Sequence, residues 1–339
     1  MQTRTQTFPN KYFNPEDISD WEVPVLLDIE TTGFSPDVSA IFMIGCAYIE
    51  GENLFLIQWL ADTLELSGEQ DILTAFSQWL RQYAACHEKT CLFTYNGQNF
   101  DLPFLKNRYI QCGLSSPLDS LNIRFIDLYR EFLPLKNFWP TRNMKLRTMG
   151  MWAGYTYNTA PEGRRLINAY HQYIKIKDSK IMNLLFLHNS DDLKALASLM
   201  PVQNYVRLFS GAYASAGLTS ADNALSFYLK PEVSLPAPVT FTAFDCSLSV
   251  RPEEIILRVP LYARGLRFYY SDIKNYVYLP EEDYALHKSM TAYIDKSHWQ
   301  RARRENCYTW FLPDEAFFNQ PEHQRAYIQM IFRLFGFSR

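Results

Sequence analysis

Val23-Pro24-Val25-Leu26-Leu27-Asp28-Ile29-Glu30-Thr31-Thr32-Gly33 is the stretch on which the fold turns. Its apolar run, with the β-branched Val23, Val25 and Ile29, predicts a buried strand over 23–30. Side chains alternate along a strand, so Asp28 and Glu30 point to the same face. Two acids in such a run are costly to bury unpaired, and they repel each other. A divalent cation removes both costs, and Mg2+ or Mn2+ suits hard oxygen ligands. Thr31-Thr32-Gly33 then turns the chain where a substrate backbone can approach. A bare D-x-E at a strand end also fits two acids that meet solvent. The complete hexapeptide favours the metal.

Working outward, 41–49 and 54–60 read as two more strands around the turn Glu50-Gly51-Glu52-Asn53. The spacing of Ile72, Leu73, Phe76, Trp79, Leu80 and Tyr83 predicts a helix over 68–83, with Ser67 as its N-cap. A fourth strand over 90–95 leads to a helix over 101–112 that stops at Gly113, and 122–126 makes a fifth strand. Residues 128–200 read as mostly helical. Three meandering strands, strand–helix alternation and then helices give an α/β class: a mixed five-stranded sheet flanked by helices. Residues 1–21 are polar, contain Pro9 and Pro15, and read as a loose lead-in with no apolar signal core. Ser234-Leu-Pro-Ala-Pro238 reads as a linker or loop. Beyond it, 239–244, 254–259, 266–270 and 276–279 read as short strands, and 322–335 as an amphipathic helix. The expected organisation is a lead-in over 1–21, an α/β domain over 22–205 and a β-rich α+β accessory domain over 206–339.

Composition narrows the class. At 339 residues and 47% hydrophobic, the chain can bury sizeable cores and is not a disordered one. The net charge of −3 does not mark a nucleic-acid binder, but local patches matter more than the total. The cysteines at 46, 86, 91, 112, 246 and 307 form no CxxC pair, so neither a zinc site nor a disulfide framework is expected. With no run long enough to span a membrane, the expectation is a cytoplasmic chain with no membrane partner. Over 121–150, Arg124, Arg130, Lys136, Arg142, Lys145 and Arg147 outweigh Asp127 and Glu131, and Phe138 and Trp139 lie between them. This segment fits either a strand-binding surface or a solvated helix face. A second basic run is Trp299-Gln-Arg-Ala-Arg-Arg304. Arg267-Phe-Tyr-Tyr270 to Tyr276-Val-Tyr278 reads as an aromatic hairpin: a base-stacking or protein-partner surface, or simply a β core.

Two further motifs carry acids. Thr94-Tyr95-Asn96-Gly97-Gln98-Asn99-Phe100-Asp101 follows the fourth strand, and Asp101 stands where a helix begins. An N-cap role and a metal role can coexist there, because a cap orients its carboxylate. Asn96 could support the site by hydrogen-bonding across it. In His188-Asn189-Ser190-Asp191-Asp192, His188 and Asp192 are four apart and share a helix face. Asp191 is turned away by roughly 100° and reads as a surface acid.

Together these motifs resemble the DEDD superfamily of 3′→5′ exonucleases, which have the ribonuclease H-like fold. The pattern DIETTG, Ile44-Gly45-Cys46, TYNG-x-x-FD-x-PFL over 94–105, K-L-x-T over 145–148 and HN-x-x-D over 188–192 is similar to the bacterial YprB-like branch. The resemblance covers about 22–203. It implies phosphodiester hydrolysis of DNA or RNA with two Mg2+ or Mn2+ ions. Asp28 would bridge both ions, Glu30 and Asp192 would hold the one beside the attacking water, and Asp101 would serve the second. His188 would position or deprotonate that water, since an imidazole of pKa ~6.5 suits the task. A structural histidine–aspartate pair is the other reading of His188. Thr31, Thr32, Asn96, Lys145 and Arg147 are candidate substrate contacts. The chain departs from the branch at Gly150, where an acid is usual, and over 155–158, which lacks its R-x-D. Alternatives to an exonuclease are an inactive nucleic-acid-binding or scaffolding protein and a structure-selective endonuclease. The C-terminal region could also serve a protein partner.

Overall fold

The computed structural model describes residues 1–12, 23–87, 89–159 and 163–337. The chain forms two compact units, Met1–Leu133 with Thr141–Gln203, and Pro134–Pro140 with Asn204–Arg339. The first unit contains β1 (Gln2–Pro9), β2 (Val23–Thr31), β3 (Ile41–Glu50), β4 (Asn53–Leu60), α1 (Leu66–Cys86), β5 (Thr90–Thr94), α2 (Asp101–Gln111), α3 (Pro117–Ser120), β6 (Arg124–Asp127), α4 (Leu128–Phe132), α5 (Leu146–Trp152), α6 (Gly163–Ile176) and α7 (Ser179–Ser198). Its strands lie in the order β1-β4-β3-β2-β5-β6. The first four pair antiparallel, and β5 and β6 run parallel to β2. The result is a mixed α/β sheet flanked by helices, of the ribonuclease H-like kind.

The sheet has six strands where five were expected. The sixth, β1, comes from the stretch read as a loose lead-in; residues 13–21 of that stretch lie outside the described residues. β1 is polar and mostly exposed, as an edge strand can be, so an apolar-run criterion passes over it. Its alternating Thr3, Thr5 and Thr7 were the available signal. A second difference lies at α1. The helix begins at Leu66, so Ser67 is inside it, and the preceding Glu65 makes no side-chain cap bond.

Strand alternation sorts β2 onto two faces. Val25, Leu27 and Ile29 pack with Ile72, Phe76 and Leu80 of α1 and with Phe104 and Leu105 of α2. On the other face, Phe42 and Met43 of β3 and Leu60 of β4 pack with Tyr170 of α6 and with Leu185 and Phe186 of α7. Asp28 and Glu30 have the opposite parity to Val25, Leu27 and Ile29, so they face α7.

The second unit opens with α8 (Gln203–Phe209) and a five-stranded antiparallel sheet of β7 (Tyr213–Ala221), β8 (Ala224–Pro231), β9 (Val239–Ala243), β10 (Cys246–Val250) and β11 (Ile255–Pro260), in the order β7-β8-β11-β10-β9. Then come β12 (Leu266–Tyr269), β13 (Tyr276–Leu279), β14 (Tyr284–His287), β15 (Gln300–Arg301), β16 (Tyr308–Phe311), α9 (Glu315–Asn319) and α10 (Pro321–Phe335). β12 pairs with β16, while β13 pairs with β14 and β15. The expected aromatic hairpin is therefore two strands of different sheets, joined by the stacking of Tyr270 on Tyr276 at 4.2 Å. Phe138 and Trp139, expected to interleave a strand-binding surface, are buried and pack on Tyr205. Among the described residues, no helix is long and apolar enough to cross a membrane.

Candidate metal centre and active site

Three elements bring the acids together. β2 carries Asp28 and Glu30, α2 begins at Asp101, and α7 carries His188 and Asp192. Because β5 runs parallel to β2, the turn after β5 delivers α2 beside the end of β2. There Asp101 Oδ1 accepts from Ile29 N at 3.3 Å. The N-cap position of α2 belongs to Phe100, so Asp101 is the first helical residue and not the cap. β6 ties down the turn itself. Asp127 accepts from Asn96 N at 2.7 Å and Gln98 N at 3.1 Å, and it caps α4 through Tyr129 N. Asn96 takes a left-handed conformation, φ 62°, and its Oδ1 accepts from Asn99 Nδ2. Asn96 therefore braces the turn under Asp101.

His188 and Asp192, one helical turn apart, face Glu30. His188 Nε2 lies 3.6 Å from Glu30 Oε1 and 3.5 Å from Asp192 Oδ2. One ligand atom from each of the three falls within 4.8 Å of the other two. Their side chains are 13–20% exposed, so the group is not sealed from solvent. Asp28 is fixed from behind. Asn189 Nδ2 donates to Asp28 Oδ2 at 2.7 Å, and Gln58 Nε2 donates to Asn189 Oδ1 at 2.8 Å. Asn189 lies so close to β3 that a Cβ at Gly45 would overlap its Oδ1. Sequence reading quoted Gly45 and Asn189 without giving either a role. A glycine inside a buried strand was the signal.

Asp191 is not a surface acid. It is fully buried and accepts from Tyr155 Oη (2.7 Å), Asn158 N and Nδ2 (both 2.9 Å), and Thr159 N and Oγ1 (both 2.8 Å). The rotation that takes Asp191 off the face shared by His188 and Asp192 aims it at the 155–159 loop instead of at water. That loop also places Thr159 Oγ1 3.4 Å from His188 Nδ1. It holds Arg147 too, whose Nη2 donates to Thr159 O at 2.7 Å and whose guanidinium lies 4.1 Å over the Tyr157 ring. A Cβ at Gly150 would press on Ala195 of α7 at 3.0 Å, which leaves little room for an acidic side chain there. Lys145 stands exposed at the N-cap of α5. Thr31 Oγ1 donates to Gly33 O, and Thr32 Oγ1 accepts from Ala40 N, so both brace the loop after β2. Phe34 projects from that loop, 91% exposed, a feature sequence reading passed over.

The electrostatics are those of a site short of positive charge. Burial pushes Asp28 and Glu30 well above the usual carboxylate range, and the neighbouring acids push them further. Burial also raises Asp101 to about 7, against the pull of the backbone hydrogen bonds from Ile29 and its own amide. Asp192 reaches about 7 through burial and the charge of Asp191, with Arg147 and the Tyr157 hydroxyl pulling the other way. Crowded oxygen donors with a single imidazole, each disfavoured as an anion in the absence of a counter-charge, fit a hard divalent cation.

A mixed sheet with acids converging from β2, α2 and α7 defines the ribonuclease H-like class. The family model of the RNase_H superfamily matches residues 25–203, more than half of the chain, and the chain belongs to that superfamily. Among solved structures, the family B DNA polymerase from the hyperthermophilic archaeon Pyrobaculum calidifontis is similar at 11% identity with a TM-score of 0.45. The match covers 93% of this chain and 46% of that one, so this chain spans about half the polymerase's length. No curated protein sequence matches the chain.

Proposed function

We propose that the protein is a divalent-metal-dependent nuclease of the YprB-like branch, a 3′→5′ exonuclease acting on single-stranded DNA or RNA ends in the cytoplasm. The observation that carries this reading is the approach of Glu30, His188 and Asp192 to within 4.8 Å of one another, with Asp28 and Asp101 near enough that the charges of these acids act on one another. A structural role would favour acids with a full counter-charge, and here a single imidazole stands between Glu30 and Asp192. The catalytic work belongs to the region 22–205, with 206–339 as an accessory part.

The four acids would hold Mg2+ or Mn2+, two ions by the family's mechanism, which would supply Lewis acidity and counter-charge at the scissile phosphate. The protein's own groups do the rest. Asn189 fixes one oxygen of Asp28 and so sets where the other points. Asp101 is held against the backbone of β2 and cannot swing away. His188, placed between Glu30 and Asp192, takes a proton from the attacking water at Nε2. Thr159 Oγ1 at Nδ1 fixes the ring's orientation. Arg147 lies close enough to lower the charge cost at Asp192, and it meets the phosphate backbone together with Lys145. Phe34, with Thr31 and Thr32 bracing its loop, offers a stacking face to a terminal base.

The test is degradation of labelled single-stranded DNA and RNA with Mn2+, Mg2+ or EDTA, on free and 3′-blocked ends. The expected result is a metal-dependent ladder from free 3′ ends that is absent in Asp28→Asn. Internal cuts on blocked ends would make the enzyme an endonuclease. No cleavage with any divalent ion would leave only a binding protein.

A further inference from the structure

The second unit contains a cavity of about 460 Å³ that the catalytic reading leaves unused. Its size falls within the roughly 300–1,000 Å³ of small-molecule sites. Phe268 and Tyr270 wall it on the β12 side, and Met330 and Leu334 of α10 form its apolar floor. Its charged lining residues are Arg304 and Arg333, both cations, and no acid is among the residues that line it. In a chain of net charge −3, an acid-free cavity with two guanidiniums is not the default. Arg304 ends the basic run singled out in the sequence, for which the nuclease site has no use.

The walls are set in place. Tyr270 is backed by Tyr276, stacked at 4.2 Å and 16°. Tyr269 N donates to Met330 Sδ at 3.0 Å, which locks β12 to α10. Phe268 is 43% exposed and meets Tyr270 edge-on at 5.8 Å, so a large aromatic side chain stands at the rim with much of its surface uncovered. Apolar and aromatic walls beside two guanidiniums match a flat aromatic ring that carries an anionic group.

We propose that this cavity binds one nucleotide of a single strand, with the base against Phe268 and Tyr270 and its phosphate on Arg304 and Arg333. Phe268, exposed at the rim, leaves the cavity open to a strand longer than one nucleotide. A single strand supplies both parts of this ligand in every repeat, and stacking against aromatics is tolerant of sequence. The proposal rests on the nucleic-acid reading above but not on turnover.

Met330 gives a local probe, and the experiment uses the full chain in EDTA, where no cleavage occurs. The chain is labelled with 13C-methyl methionine, and the Met330 signal is assigned with Met330→Leu. It is then titrated with (dT)4, dTMP or inorganic phosphate. The expected result is a saturable shift of Met330 with (dT)4 and dTMP but not with phosphate at the same concentration. The shift should persist in Asp28→Asn. In the double variant Arg304→Gln/Arg333→Gln, about tenfold or more nucleotide is needed per lost guanidinium. Both arginines are exposed, and circular dichroism checks that the variant folds. An unmoved Met330, an equal shift with phosphate alone, a shift with dTMP but not (dT)4, or an unchanged titration in the double variant would each overturn the proposal. If cleavage fails and Met330 still responds, the nuclease reading falls and this one stands.

Discussion

Asp192 shows the electrostatic cost of the candidate site at a single side chain. Its folded pKa is about 7 against an ordinary 3.8, and Asp101 behaves likewise. A group raised in this way stabilises the fold fully below its unfolded pKa, and the contribution is lost as pH rises through the folded value. The metal-free protein should therefore lose melting temperature between about pH 4 and pH 7, through these groups. Mn2+ binds the deprotonated acids, so its stabilising shift should be larger at pH 8 than at pH 5.5. Asp192→Asn removes one repelling anion. We expect it to abolish cleavage, raise the metal-free melting temperature at pH 8 by roughly 2–4 °C per kcal/mol gained, and flatten the pH dependence. Calorimetry of both proteins across that range checks this, and a lower melting temperature in the variant would refute the account of repulsion. Gly45 is the complementary case, since a methyl there meets Asn189 Oδ1. Gly45→Ala should cost about 1–3 kcal/mol of stability and weaken Mn2+ binding, because Asn189 releases Asp28. A calorimetric titration showing unchanged metal affinity would sever that link. That Glu30, His188 and Asp192 share one side was legible because strand parity and i,i+4 spacing are local rules, whereas Asp101 was named from the family motif. Asn189, Gln58 and Gly45 were not, because their meaning is a contact across elements 131 and 144 positions apart in the chain (189 − 58 and 189 − 45).

α7 works on two faces, and the neighbouring acids Asp191 and Asp192 divide the labour. The first holds the 155–159 loop with five hydrogen bonds, and the second faces His188 in the candidate metal site. Hydrogen bonds to Asp191 outweigh its burial and hold its pKa below the ordinary value, so it stays charged and accepting. Asp191→Ala strands the buried Tyr155 and Thr159 donors and should cost about 3 kcal/mol or more. The loop should then become protease-sensitive, and His188 and Arg147 should lose their Thr159 partners. Limited proteolysis around 155–159 and the unfolding midpoint in urea test this; a protected loop in the variant would mean another element holds it. Helical rotation turned Asp191 away from the face shared by His188 and Asp192. It could not say what waited on the other side, because the loop carries no periodic pattern. β1 was missed for a related reason: an edge strand of Gln and Thr has little apolar surface to declare it.

At the scale of the molecule, the chain crosses between units more than once, which a single boundary near 205 cannot express. Pro134–Pro140 belongs with the second unit although it lies inside the first in sequence. Phe138 packs on Tyr205 at 5.4 Å, Phe209 at 5.0 Å and Phe337 at 5.2 Å, and Trp139 joins it on Tyr205. The sequence showed these aromatics among basic residues and so suggested a surface. Only their partners, most of them distant in the chain, show a core. A fragment of residues 1–203 would keep the candidate metal site but strip Phe138 and Trp139 of those partners. Each buries roughly 150–250 Å², worth roughly 4–6 kcal/mol at ~25 cal/mol per Å². We therefore expect this fragment to bind a hydrophobic dye and self-associate. Replacing 134–140 in it by a Gly/Ser segment of equal length should restore a monomer that still binds Mn2+. Sedimentation of the two fragments with a Mn2+ titration decides the matter. If the unmodified fragment is monomeric and silent to the dye, residues 134–140 do not need the second unit. If neither fragment binds Mn2+, the acids of the first unit do not make a self-sufficient metal site.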